Sequence, residues 1–168
     1  MPLGTDYTGQ DCAVARSLEV VGERWTLLII RDLFYGIRRY SELRKHIGLP
    51  PATLTDRLTG LVKEGVVDRV AGSGARDEYE LTAKGRALWP VVVGLAQWGN
   101  ENYVEPERRM QYKHRTDNGD LNANGSCSIC GAIPEAEDVL VQKTTPYPND
   151  IFAAALQEPH RLLQPLRS

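Results

Sequence analysis

The stretch PPATLTDRLTGLVKEGVVDRV, residues 50–70, decides how the rest of this chain is read. It opens on two prolines, and proline suits the first turn of a helix, where its missing N–H is no loss. Leu54, Leu58, Leu61 and Val62 then recur at helical spacing and form one apolar face. Gly65 interrupts the pattern, and Val66 to Val70 change to the alternation of a strand. A helix is therefore expected from about Pro51 to Glu64, with a short strand directly after it. The side away from the leucines carries Thr53, Thr55, Asp56, Arg57, Thr59 and Lys63, a slim, wet face.

Upstream, Ser41 reads as the N-cap of a helix to about Ile47, with Leu43 and Ile47 turned inward and Gly48 as its stop. Two helices joined by a few residues with glycine in the turn have helix-turn-helix spacing. Before them, Arg38 to Tyr40 is expected as a very short strand, and Trp25 to Phe34 as a buried helix, apolar nearly all round. Cys12 to Val21 is expected as the first helix, capped by Asp11, with Val14, Leu18 and Val21 on one face. Downstream, Glu78 to Leu81 pairs with Val66 to Val70 as a hairpin around the loop AGSGARD. Thr82 then caps a long helix from Ala83 to about Tyr103, kinked at Pro90, with Leu88, Val92, Leu95 and Trp98 on one face. Beyond Val104 the composition turns polar, with Asn and Gly clusters. There only Val139 to Gln142 reads as a strand, TTPYPND (144–150) as a turn and Ile151 to Leu156 as a short helix.

The expected fold is thus mainly α with a small β-hairpin: a winged helix-turn-helix plus a small irregular C-terminal extension. Its divisions are an N-terminal arm (1–10), the winged helix-turn-helix (11–104) and the extension (105–168). No run of about 18 apolar residues is present for a membrane span. The first residues lack the basic and apolar regions of a signal peptide, so a cytoplasmic location is expected. The net charge of −2 predicts no affinity for polyanions, but its distribution does. From Arg24 to Arg76, ten Lys and Arg face five acids.

Those cations fall where a duplex would lie. A major groove about 12 Å wide admits a helix such as the one at 51–64. Hydroxyls of Thr53, Thr55 and Thr59 suit phosphates or base edges, and Arg57 suits a guanine edge, a phosphate or its neighbour Asp56. Asp56 suits a cytosine amino group or the orientation of Arg57. Lys63 belongs to the same face. Arg76, near the tip of the wing, suits a minor groove and Arg69, at its base, a phosphate. Arg38, Arg39, Arg44 and Lys45 are expected to meet the backbone beside the preceding helix. A winged-helix docking module without DNA binding is the alternative. An enzyme is not expected, since the chain has no G-x-S-x-G, P-loop or H-E-x-x-H and no nucleophile with a sequence-local base.

Cys12 with GERWTLLIIRDL, RRYSELRKHIGLPPATLTDRLTGLVKEGVVDRV and EYELTAKGRALWPVVVGLAQWG closely resembles HxlR-type transcriptional regulators, a branch of the MarR-like winged-helix group, over about residues 11–100. The resemblance implies a bacterial homodimeric repressor or activator on a pseudo-palindromic operator in double-stranded DNA. It implies an interface made by the first helix and the long helix after the wing. Such a dimer sets its two recognition helices about 34–36 Å apart, one DNA turn. It also implies, from relatives that sense oxidants or electrophiles at this position, a sensing role for Cys12. A helix N-terminus favours a thiolate there, and inert packing is the alternative. An effector ligand is left unnamed.

Three cysteines do not make a disulfide framework. Cys127-x-x-Cys130-Gly131 resembles half of a zinc ribbon, and His114-x-x-Asp117 offers the other half at equal spacing. Asp117 stands where relatives of this type often carry cysteine. Zn2+ is the expected cofactor if any, with a redox dithiol or simple packing as alternatives. No partner is assigned to His46 or His160.

Overall fold

In a computed structural model, which describes residues 7, 9, 11–72, 76–143, 145 and 150–166, the winged order is present from end to end. Most of the N-terminal arm, the wing tip and most of TTPYPND lie outside the described residues. Helices α1 (Ala13–Val21), α2 (Thr26–Phe34), α3 (Tyr40–Ile47) and α4 (Pro51–Lys63) are followed by strands β1 (Val67–Ala71) and β2 (Asp77–Leu81). Then come α5 (Ala83–Arg86), α6 (Trp89–Tyr103), β3 (Met110–His114), β4 (Val139–Lys143) and β5 (His160–Arg161). No described helix is long and apolar enough to cross a membrane.

Leu54, Leu58 and Leu61 of α4 are buried, whereas Val62 lies at the edge of that stripe and is exposed. Gly48 ends α3 at φ 77°, in the left-handed region that glycine enters without a Cβ penalty. Its N–H and that of Leu49 both return to the Arg44 carbonyl, at 2.9 and 3.2 Å. Thr82 caps α5 by accepting from Gly85 N–H at 3.1 Å.

Several expected details are corrected. The N-cap of α3 is Arg39, whose carbonyl accepts from Glu42 and Leu43 at 3.1 and 2.9 Å, so Ser41 lies inside the helix. The N-cap of α1 is Cys12, whose carbonyl receives Arg16 N–H at 3.0 Å, not Asp11. Arg38–Tyr40 forms no strand beyond a bridge between Arg39 and Glu78, with Tyr79 N–H on Arg38 O at 2.9 Å. Pro90 does not kink one long helix. It opens α6, in the first turn where proline is tolerated, and α5 is a separate single turn. Residues 151–156 are not a helix but a series of turns, because Phe152 and Leu156 are drawn into the core and Leu156 O receives Lys143 N–H at 2.7 Å.

The extension is more regular than its composition suggests. β3, β4 and β5 form an antiparallel sheet in which Tyr112 faces Val141 and Leu140 faces Arg161. Its buried side chains join those of the winged helix in one continuous core. Tyr112 stacks edge-on against Trp89 and shares a 2.7 Å hydrogen bond with the hydroxyl of Tyr35. Leu163 N–H reaches Phe34 O at 2.7 Å and Leu166 N–H reaches Gly36 O at 2.9 Å. Gly36, at φ 85°, has no room for a Cβ, which would run into Gln164 O.

Candidate nucleic-acid interface

The helix-turn-helix is held by its own side chains. Tyr40, at the start of α3, donates its hydroxyl to Pro51 O at 2.9 Å and lies 3.0 Å from Thr55 Oγ1, which pins the first turns of α4. With the leucine stripe inward, Thr55, Asp56, Thr59 and Lys63 are exposed on α4, and Thr53 and Arg57 sit half-buried at its flank. Arg57 Nη2 lies 3.5 Å from Glu23 Oε2 and 3.6 Å from Asp56 Oδ2, and its Nε is buried without a hydrogen-bond partner among the described residues. Arg57 is thus a side rail tied loosely to the turn before α2, not the outermost point of the helix.

Two basic hollows lie along α3, the helix that Tyr40 ties to α4. One lies between the start of α3 and the wing and brings together Arg39, Tyr40, Ser41, Arg69 and Arg76. Arg69 pairs with Asp77 at 2.5 Å, but both are exposed, and such surface pairs contribute only about 0–1 kcal/mol. Arg39 lies 3.4 Å from Glu78. The other hollow shares Ser41 with the first and is lined also by Arg44, Lys45 and Gly48. Arg38 does not join either one. It pairs with Glu80 of β2 and donates to Leu163 O at 2.6 Å, so it fastens the wing to the C-terminal segment. That segment seats against Phe34 and Gly36 and leaves the α4 face exposed.

His46 and His160 each have partners that the sequence did not reveal. His46 Nδ1 lies 2.6 Å from Asp32 Oδ2, a fully buried carboxylate whose Oδ1 takes the Arg31 fork at 2.9 and 2.6 Å. His160 Nε2 lies 3.1 Å from Gln164 O, and burial holds this imidazole below its ordinary 6.5 despite that bond. A buried carboxylate needs such neighbours, and Asp32 in an otherwise apolar helix was the available signal.

Away from the α4 face, the four expected metal ligands do converge. His114, Asp117, Cys127 and Cys130 place one donor atom each within 4.8 Å of the others. Cys127 Sγ lies 3.2 Å from Asp117 Oδ1, and His114 Nδ1 lies 3.4 Å both from Cys130 Sγ and from Asp117 Oδ1. Two tight turns make this geometry. One has Asn118 N–H on His114 O at 2.8 Å, and the other has Gly131 N–H on Cys127 O at 2.9 Å with Gly131 at φ 74°. The Gly119 N–H and the Cys130 thiol hold the Asp117 carboxyl far below the usual carboxylate range. The Cys130 thiol is lowered by the Ala132 backbone but raised further by Asp117, and the balance is upward.

Cys12 is exposed at the N-cap of α1 and makes no side-chain capping bond. The apolar stripes differ in register from expectation. Val92 is buried in the core, whereas Val91, Leu95 and Trp98 of α6 are 49, 51 and 53% exposed, at i, i+4 and i+7. On α1, Val14 and Leu18 are exposed and Val21 is buried.

Known proteins share this arrangement. An HTH-type transcriptional regulator of Mycobacterium tuberculosis, itself uncharacterised, is 41% identical over 147 residues, which cover 86% of this chain and 90% of the relative. The crystal structure of PA1607, a candidate transcription factor, is 39% identical and covers 76% of this chain and 92% of that one, with a TM-score of 0.61. The oxidised form of the redox regulator HypR is 31% identical over 54% of this chain and 97% of its own, with a TM-score of 0.51. The model of the HxlR-like helix-turn-helix matches residues 20–107, spanning α2 to α6 with the wing between them. By this match and by its relatives, the chain belongs to the HxlR-like helix-turn-helix family and is a DNA-binding transcriptional regulator.

Proposed function

We propose that this regulator binds a pseudo-palindromic site as a homodimer, with α4 of each copy in a major groove and each wing on the adjacent backbone. The observation that carries the reading is the exposed, narrow α4 face, pinned to α3 by Tyr40, together with the basic hollows along α3 and the base of the wing. Thr55, Asp56 and Thr59 face base edges and Arg57 lies at the rim, while Arg39, Arg44, Lys63, Arg69 and Arg76 meet phosphates. The exposed stripes on α1 and α6 support the second copy. The test is selection of bound duplexes from random DNA, followed by a salt titration on the winner. Each neutralised phosphate adds about 0.9 to the slope of log affinity against log salt. A flat slope, or no enrichment, would overturn this mode of docking.

The cluster of His114, Asp117, Cys127 and Cys130 fits Zn2+. Bonds of about 2.0–2.3 Å in a tetrahedron put neighbouring donors about 3.3–3.8 Å apart, and here three donor pairs lie at 3.2–3.4 Å with all four donors within 4.8 Å. The metal would cross-link the turn after β3 to the Cys127–Cys130 turn and would stabilise the extension. Co2+ titration of the metal-free chain is expected to give the visible bands of a tetrahedral thiolate site, and Cys127→Ser with Cys130→Ser to remove both the bands and the gain in Tm. Cys12, exposed beside the expected dimer face, is the candidate thiol for sensing electrophiles. Cys12→Ser is expected to keep basal DNA affinity and lose any loss of binding caused by a thiol-alkylating agent. A response that survives would place the sensor elsewhere.

A further inference from the structure

A cleft of about 400 Å³ lies between α2, α6 and the start of β3. Leu27, Val92, Leu95, Ala96 and Met110 give it apolar walls. Its polar residues are few: Arg31, Tyr35, Tyr112 and Asn100, whose amide N–H groups already donate to Gln97 Oε1 and Met110 O at 3.0 and 3.1 Å. A second hollow of about 300 Å³ shares Arg31, Tyr35 and Asn100 with the first, and adds Arg108, Lys143 and Asp150. The two therefore meet at Arg31, one side greasy and the other rich in cations. Volumes of this order and this mixture of walls are those of small-molecule sites.

The chemistry of the meeting point selects a ligand. Burial is the largest influence on Arg31 and works against its charge, but Asp32 together with Tyr35 and Tyr112 more than offsets it, so the guanidinium stays charged. Asp32 takes two of its five N–H donors through one oxygen, at 2.9 and 2.6 Å. Burial raises Tyr35 well above its ordinary value and raises Tyr112 as well, so both stay neutral. Their mutual bond consumes one of two hydroxyl protons and leaves the other to give. Cationic and neutral donors at the end of an apolar slot suit a planar anion with a flat apolar body.

We propose that this double cleft is a binding site for a small organic acid, an aromatic or branched apolar body carrying a carboxylate that sits on Arg31. The site does not depend on the DNA-binding reading, and its test contains no DNA. Calorimetry on the full chain compares 2-naphthoate with 2-naphthamide, which has the same body and no charge. At least tenfold tighter binding of the carboxylate is expected, because its hydrogen bonds to Arg31 are charge-assisted. Gly99 lines the cleft, and a Cβ added there meets nothing within 4 Å. Gly99→Leu is therefore expected to fold, remain the same oligomer and lose naphthoate binding. Equal affinity for acid and amide, or unchanged affinity in Gly99→Leu, would overturn the proposal. Conversion of Gly99→Leu to a smaller oligomer would overturn it too, by making the cleft an interface between copies.

Discussion

Among single residues, Arg57 shows how a contact differs from a position. The sequence placed it on the face away from the leucines, and α4 carries it at the rim, loosely held by Glu23 and Asp56. Arg57→Ala is expected to weaken binding to the selected duplex by about 1–3 kcal/mol and to relax preference at one base position, read from a competition series. Equal losses on selected and random DNA would make it a phosphate contact instead. His160 gives a pH dependence. Its folded pKa lies below the ordinary 6.5, so the unfolded chain takes up the proton first. Stability is expected to fall as pH drops through and below 6.5, and His160→Gln to flatten that part of a denaturation series. What the sequence hid at this scale was pairing over distance. Nothing near His46 or Arg38 in the chain announces Asp32, Glu80 or Leu163 as partners.

Elements with strong local signals were readable. The proline start and leucine stripe fixed α4, Gly48 fixed the end of α3, and the valine alternation fixed β1. Elements decided by tertiary contact were not. β3 was missed because its alternation, Met110 and Tyr112 inward with Gln111 and Lys113 between, is short and lies among polar residues. Residues 151–156 carry helical spacing, but six residues do not nucleate a helix against the pull of the core. Gly48→Ala tests the turn itself. A Cβ there meets nothing within 4 Å, so the cost is purely backbone, about 1–2 kcal/mol for the left-handed conformation. Urea denaturation is expected to show that loss with an unchanged m-value, and DNA affinity to fall with it as α4 tilts.

For the whole molecule, the charge distribution and the winged order were legible, and the junction was not. A boundary after residue 104 suggested an appendage, whereas Tyr35, Trp89 and Tyr112 weld the extension into the same core. The cluster of His114, Asp117, Cys127 and Cys130 was visible as two spaced pairs, and folding supplied what spacing could not, the closing of the two turns on each other. The apolar stripes on α1 and α6 give the prediction for assembly. Leu18→Glu combined with Val91→Glu is expected to leave Tm within a few degrees at high dilution and to halve the mass in sedimentation. A mass that stays the same would put the dimer face elsewhere.

The fastening of the hairpin by residues 163–166 also sets an order of events during synthesis. β1 and β2 leave the ribosome long before Leu163 and Leu166 can close on Arg38 and Gly36. A nascent chain therefore carries a complete α4 on a frame that is still unlocked. The frame stiffens only once residues 163–166 have been made and have folded back onto Phe34, Gly36 and Arg38.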